Sequence, residues 1–251
     1  MAGLSFDKKH PGTRNVAFQP QGPERLSDLA KLLNNQYARA HIDQTWSSVS
    51  RDFALADQSM NMRHMERREL SFHEFVKLLG FVCLETKRVA GDIVEIGVWK
   101  GKSLAFMSRF ADPETKLIGI DPCALQGQSA ELDYFHQAVF PNCTIIKRYS
   151  EAAVEDVSRI TRAIKLLHID GGHQSENVWA DFLLYERFVV PGGYVVFDDY
   201  ADVAYSPEVG PAVDRLRNGG FFHGFEIIGQ PPGFEHSFVL RRHPQGEPIR
   251  T

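Results

Sequence analysis

KLLHIDGGHQSENVWADFLLYERFVVPGGYVVFDD, residues 165–199, decides the fold of this 251-residue chain. LLHI at 166–169 and YVVF at 194–197 are short apolar runs of the kind that form buried strands. Between them VWADFLLYERFV, 178–189, has helical spacing, and Pro191-Gly192-Gly193 is expected to stop that helix. Strand, helix, strand predicts a parallel pair whose carboxyl ends face a ligand. Those ends are acidic: Asp170 closes the first run, and Asp198 and Asp199 close the second. Three carboxylates on one sheet edge are a candidate site for a hard divalent cation, Mg²⁺ or Mn²⁺. His173 follows Asp170 by three residues, and an imidazole beside such an ion is a candidate proton acceptor. Plainer readings stay open, a solvated strand terminus for Asp198-Asp199 and a helix cap for His173. Tyr200 and Asp202 are the nearest alternative bases, and His168 reads as a residue of the buried strand.

The alternation extends outward. DIVEIGV (92–98), KLIGID (116–121) and TIIKRY (144–149) read as strands, and KSLAFMSRFA (102–111), 130–139 and EAAVEDVSRITRA (151–163) as helices. The pattern predicts an α/β fold with a mostly parallel sheet covered on both faces. After a possible helix at 211–216, FEIIG (225–229) and HSFVLRR (236–242) flank Gln230-Pro231-Pro232-Gly233 and read as a hairpin ending the sheet.

Upstream of residue 91 the signal is helical. Leu26, Leu29, Leu32 and Leu33 suggest one helix over 24–37, and Phe75, Leu78, Leu79, Val82 and Leu84 another over 72–89. Residues 1–23 read as an irregular arm, and 40–64 show no clear period, with Trp46, Phe53 and Met60 available for packing. The expected organisation is an arm and helical lid over 1–90 and a core over 91–251, in one structural unit. Trp46, Phe53, Trp99 and Tyr205 are aromatic candidates for a pocket or for core, and Arg67 and Arg68 for a cofactor carboxylate or a solvated face.

The loop Glu95-Ile96-Gly97-Val98-Trp99-Lys100-Gly101-Lys102-Ser103 joins the first strand to its helix. Gly97 permits a tight turn, and Gly101 allows a ligand close to the backbone. The spacing is neither a GxGxxG fingerprint nor a Walker A loop. Asp121, ending the next strand, is placed to accept ribose hydroxyls, or to serve as a turn aspartate. With Ser150 after the third strand these residues outline a nucleoside-sized groove.

EIGVWKGKS, IGIDP, the aspartate of HIDGGH and PGGYVVFDDY together resemble the class I S-adenosylmethionine-dependent methyltransferases over about residues 92–242. HIDGGHQSENVWADF and PGGYVVFDDY resemble more narrowly the O-methyltransferases of the macrocin, rhamnosyl and noviosyl type, and the disposition is similar to that of the metal-dependent catechol and caffeoyl-CoA enzymes. The resemblance implies a Rossmann-like, mostly parallel seven-stranded sheet with a C-terminal antiparallel hairpin. It implies S-adenosyl-L-methionine as cofactor, with Glu95, Gly97 and Gly101 at the methionine end, Ser103 and Asp170 counted with them, Asp121 on ribose and Ser150 near adenine. Asp170, Asp198 and Asp199 become metal ligands, and His173, with Asp170, the catalytic pair. The acceptor implied is a hydroxyl of a small molecule, such as a sugar or natural-product glycoside. A cephalosporin hydroxylase-associated-like protein and an NAD(P)-dependent oxidoreductase stay open as alternatives.

A net charge of −4 gives no electrostatic reason to expect nucleic acid or an anionic membrane as partner. Cys83, Cys123 and Cys143 are far apart, without a CxxC pair, as in a reduced protein. With no signal-peptide pattern and no apolar run near ~20 residues, a cytoplasmic location is the expectation. A homo-oligomer is compatible with all of this.

Overall fold

The computed structural model describes residues 28–59 and 74–244; the arm at 1–23, Met60, Arg67 and Arg68 lie outside them. Seven strands form one sheet: β1 (Asp92–Ile96), β2 (Leu117–Ile120), β3 (Thr144–Ile146), β4 (Ile164–Ile169), β5 (Val189–Phe197), β6 (Phe225–Gly229) and β7 (Phe238–Arg242). Their order is β3-β2-β1-β4-β5-β7-β6, parallel from β3 to β5, with β7 antiparallel to both β5 and β6. The helices are α1 (Asp28–Leu33), α2 (Gln36–Ser59), α3 (Lys77–Glu85), α4 (Lys102–Ser108), α5 (Gln128–Val139), α6 (Ser150–Ile160), α7 (Ser175–Tyr185) and α8 (Val209–Asn218).

Side-chain alternation along the strands divides the core into two layers. Ile93, Leu117, Leu166, Tyr194 and Val196 point into a cluster with α1 to α5. Val94, Ile118, Leu167, Val195 and Phe197 point into a second cluster with α6, α7 and α8. Both faces are therefore apolar, as the uninterrupted hydrophobic runs required.

The N-terminal helices expected as a lid are packed on the core. Asn35 interrupts the single helix expected over 24–37, its Oδ1 accepting the N–H groups of Tyr37 and Ala38 at 2.9 and 3.1 Å as an N-cap for α2. Along α2, Ile42, Trp46, Val49 and Phe53 are buried at helical spacing. Trp46 meets Phe106 of α4 edge-on at 5.2 Å, and Phe53 stacks on Phe135 of α5 at 5.0 Å. Trp46 and Phe53 are thus core residues, and the N-terminal helices continue the same hydrophobic cluster as α4 and α5.

Pro191-Gly192-Gly193 also differs from expectation. The helix ends earlier, at Tyr185, and the three residues lie inside β5. Ile164 pairs with Val189 and Leu166 with Tyr194, so β5 carries extra residues against β4, with Gly192 at φ +80°. A proline lacking an N–H and a glycine free to turn suit a bulge where the ladder is already broken. The terminal strands are ordered by apolarity: β7, buried at Phe238, Val239 and Leu240, inserts beside β5, and β6, with Ile227 exposed, takes the edge.

Removing the Phe53 ring leaves a hole between α2 and α5 that their backbones cannot close. Phe53→Ala is expected to cost about 3–5 kcal/mol, measured by denaturant unfolding. Circular dichroism and tryptophan fluorescence should report one shared transition, because the helical layer and the sheet share a core.

Candidate active site

Parallel ladders carry one residue past each strand to a common rim. Gly97 N–H donates to the Ile120 carbonyl, Asp121 N–H to Ile146, Asp170 N–H to Ile96 and Asp198 N–H to Ile169, at 2.8–3.1 Å. The glycine loop, Asp121 and the acidic residues thereby meet along the carboxyl ends of β1, β2, β4 and β5. Gly97 has φ +87°, and a Cβ there would lie 1.8 Å from the Asp170 carbonyl oxygen. No other residue allows β1 to leave the sheet so close to Asp170. Among the described residues, the non-glycine positions with left-handed φ are Trp99, Cys123 and Asp199, each in a loop leaving this rim. Backbone strain of this kind gathers at functional sites.

At the β4–β5 end, one ligand atom each from Asp170, His173 and Asp199 lies within 4.8 Å of the others, and so does one each from His168, Asp170 and Asp198. His173 Nε2 is 3.4 Å from Asp199 Oδ2 and 3.8 Å from Asp170 Oδ1. Asp198 is buried, 3.9 Å from His168 Nε2, and its Oδ1 accepts a long 3.4 Å bond from Ser237 Oγ. Burial and the Asp170 charge push the Asp198 carboxyl up to about 8. The same two causes raise Asp199. His173 is raised chiefly by its hydrogen bond with Asp170 and by the surrounding carboxylates, against a desolvation that lowers it. The rim thus holds more negative charge than its own cations balance. A small cavity lined by Asp170, Gly171, Gly172, His173 and Asp198 opens onto these groups.

The expected cofactor residues are more heavily committed. Asp121 Oδ2 accepts the N–H groups of Val98 and Trp99 at 3.0 and 2.8 Å, and Oδ1 accepts Cys123 N–H and Gln128 Nε2 at 2.7 and 2.9 Å. This carboxylate closes the glycine loop onto β2. At Gly101, φ +86°, a Cβ would lie 2.1 Å from the Phe140 ring, so the glycine makes room for that aromatic side chain. Glu95 is fully buried and bonds His168 Nδ1 at 2.8 Å and Ser103. His168 therefore links strand β1 to Asp198, just past β5. Its charge is favoured by these acids, which outweigh burial and hold it up at about 9. On the same loop, Lys100 lies 3.6 Å from Glu131, and burial with the Lys100 charge brings Lys102 down to about 7.

Ser150 opens α6, and its hydroxyl donates to Asp181 Oδ1 of α7; Tyr185 Oη donates to the Ser150 carbonyl at 2.7 Å. The alternative bases Tyr200 and Asp202 have hydrogen-bond partners of their own. Tyr200 Oη donates to Asp214 at 2.8 Å, and Asp202 Oδ1 accepts the Ala204 and Tyr205 N–H groups at 3.0 Å each. Tyr205 is exposed in this turn. His168, Ser206 and Asp181 were not legible as site residues. Only the two-residue spacing of His168 from Asp170, which sets both on one strand face, could have hinted at the first.

Residues 94–200 match the family described as "Methyltransferase domain". An uncharacterized protein, R132, of Acanthamoeba polyphaga mimivirus is 40% identical over 152 residues, covering 55% of this chain and 67% of its own. Among solved structures, an O-methyltransferase from Bacillus cereus in complex with SAH superposes with TM-score 0.57 at 12% identity, over 78% of this chain and 90% of that one. CalS11, a TDP-rhamnose 3'-O-methyltransferase of calicheamicin biosynthesis, gives 0.53 at 17% identity over 80% and 94%. The O-methyltransferase TomG from Streptomyces achromogenes, in complex with SAM, gives 0.53 at 17% over 80% and 90%. The sheet order and these superpositions make the fold that of the class I S-adenosylmethionine-dependent methyltransferases. The chain carries a methyltransferase domain over residues 94–200. No helix among the described residues is long and apolar enough to cross a membrane.

Asp181 offers a test of the buried polar layer beneath Ser150. Burial raises its carboxyl from 3.8 to about 7, which the Ser150 hydrogen bond only partly offsets. As pH rises from about 4 to 7, the unfolded chain loses this proton while the folded chain keeps it, so stability falls. Relative to Asp181→Asn, the wild type should lose up to about 4 kcal/mol across that window, read from urea midpoints at successive pH values. Parallel stability profiles for the two proteins would show that Asp181 ionises freely.

Proposed function

We propose that this protein is an S-adenosylmethionine- and divalent-metal-dependent O-methyltransferase acting on a hydroxyl of a small molecule. The observation that carries the reading is the convergence of Asp170, His173 and Asp199 within 4.8 Å on the rim beside Gly97 and Asp121. Oxygen donors with carboxyls pushed upward by burial and by the Asp170 charge fit a hard cation, which would relieve the repulsion. Asp170, Asp198 and Asp199 would hold it. When bound, such an ion orients the acceptor oxygens and lowers the hydroxyl pKa as a Lewis acid. S-adenosylmethionine would lie along the β1–β2 rim and supplies an electrophilic methyl group on a sulfonium.

In the transfer, the acceptor oxygen bonds to the methyl carbon as the carbon–sulfur bond breaks, leaving S-adenosylhomocysteine. His173 takes the hydroxyl proton at Nε2. Asp170 faces both that nitrogen and the cofactor loop, so it sets the distance between base and donor. A sugar or natural-product glycoside is the acceptor class supported by the sequence resemblance and by what CalS11 is described to methylate. The net charge of −4 supports a small acceptor over nucleic acid, and a reduced cytoplasmic setting fits the separate cysteines.

Activity should require Mg²⁺ or Mn²⁺, vanish in EDTA and return with added ion. Asp199→Ala should lose at least about 10–100-fold in kcat/KM. Full turnover in chelator, measured by release of S-adenosylhomocysteine, would remove the metal. For the base, His173→Gln should lower kcat about 10²–10⁴-fold with cofactor affinity held in a calorimetric titration. Unchanged turnover in that variant would assign the proton elsewhere, and binding of NADH in place of S-adenosylhomocysteine would favour an oxidoreductase.

A further inference from the structure

The loop between β5 and α8 turns its polar side chains inward and its apolar ones out, the reverse of a solvated turn. Ser206 is 1% exposed, and its hydroxyl lies 2.7 Å from Asp199 Oδ2 and 2.8 Å from His173 Nδ1. The Asp202 carboxylate is committed to the backbone, accepting the Ala204 and Tyr205 N–H groups. Ala201, Val203, Ala204, Tyr205 and Pro207 are all exposed, Val203 at 82% and Tyr205 at 87%. We infer that Val203 and Tyr205 form an acceptor-binding face, which takes a neutral hydroxyl compound carrying an apolar ring beside its reacting oxygen. The inference deepens the methyltransferase reading and rests on it for what the bound compound is.

Single apolar side chains on a surface need no explanation, but here they are consecutive and the backbone beneath them is tied. Asp202 N–H donates to the Asp199 carbonyl at 3.0 Å, Val203 N–H to Ala201 at 3.1 Å, Ser206 N–H to Asp202 at 3.1 Å and Val209 N–H to Ser206 at 3.2 Å. Tyr200 N–H crosses to the His236 carbonyl at 2.7 Å. Val203 and Tyr205 are thus held in water by their own loop. Covering them gains hydrophobic free energy and requires little further ordering of the chain.

Position identifies the occupant. Ser206 touches both Asp199 and His173, so Val203 and Tyr205 stand three residues and one residue from a side chain on the rim. A small molecule whose hydroxyl reaches His173 has this face beside its remaining atoms. Charge narrows the class. From Asp199 to Glu208 the chain carries Asp199, Asp202 and Glu208 and no lysine or arginine. A phosphorylated acceptor would meet carboxylates in this loop, with no guanidinium to receive it. An uncharged ring meets Val203 and the aromatic face of Tyr205. The acceptor class is therefore a glycoside or alcohol with an apolar ring attached, and not a sugar carried on a phosphate.

The test is calorimetric titration of the protein saturated with Mn²⁺ and S-adenosylhomocysteine, using phenyl β-D-glucoside, methyl β-D-glucoside and glucose 1-phosphate as probes. Phenyl glucoside should bind about tenfold more tightly than methyl glucoside, the gain expected from half-burying one ring. Glucose 1-phosphate should bind no more tightly than methyl glucoside. Val203→Ser combined with Tyr205→Ser should abolish the phenyl preference while S-adenosylhomocysteine affinity holds, and Tyr205→Phe should keep the preference. Equal affinity for the two glucosides in the wild type, tighter binding of glucose 1-phosphate than of methyl glucoside, or a phenyl preference that survives the double substitution would overturn the inference. So would a double variant that sediments as a monomer where the wild type is a dimer and binds the glucosides as the wild type does, which would make the patch a subunit contact. If the double variant fails to fold by circular dichroism, Tyr205→Ser alone decides. Calorimetry reads binding without transfer, so a phenyl preference carried by Tyr205 in a protein that transfers no methyl group would defeat the functional reading alone. Methyl transfer to a glucoside without any phenyl preference would defeat this inference alone.

Discussion

Negative charge gathered at the ends of β4 and β5 is the constraint around which this molecule is organised. Asp170, Asp198 and Asp199 are carried there by parallel ladders that continue one residue beyond each strand, so their closeness is a property of the sheet. Two of these carboxyls are raised by burial and by the charge of Asp170. Like charges in a low-dielectric setting stay together only with a proton or a cation between them. His168 and His173 supply partial compensation from two sides, the first buried against Glu95 and the second half-open to the cavity. In the proposed reading a divalent ion would complete the balance, and the same charge would then serve to activate a hydroxyl.

The second constraint is proximity between the two halves of the rim. Gly97 brings the β1 exit against the Asp170 carbonyl, and Glu95 reaches His168 in the adjacent strand. The glycine loop and the acids therefore lie side by side on one sheet edge. Asp121 holds the glycine loop to β2 through four hydrogen bonds, so the loop keeps its shape from within. Phe140 covers Gly101, packed in turn against Phe53 of α2. The N-terminal helices thereby reach the glycine loop through core packing.

Much of this was legible in residues 165–199, because apolar runs of strand length and acids at their ends report directly on sheet position. What sequence could not show were choices settled by tertiary competition. Pro191-Gly192-Gly193 is helix-stopping chemistry, yet the chain had already left the helix and used those residues in a bulge. The two C-terminal strands were recognisable, but which one sits inside depends on burial of Phe238, Val239 and Leu240 against β5. The period of α2 was obscured by polar residues on its outer face, and only its partners α4 and α5 reveal Ile42, Trp46, Val49 and Phe53 as a stripe. The four hydrogen-bond partners of Asp121 left no local signal because they lie two to twenty-three residues away. Ser206 left no local signal, since its meaning comes from His173, thirty-three residues earlier.

Anomalous diffraction from crystals grown with Mn²⁺ and S-adenosylhomocysteine would test the central claim most directly. The expected result is a manganese peak bound by Asp170 and Asp199 beside Asp198, with the nucleoside along the β1–β2 rim. A rim free of manganese at saturating concentration, or a nucleoside bound away from Gly97 and Asp121, would contradict the account.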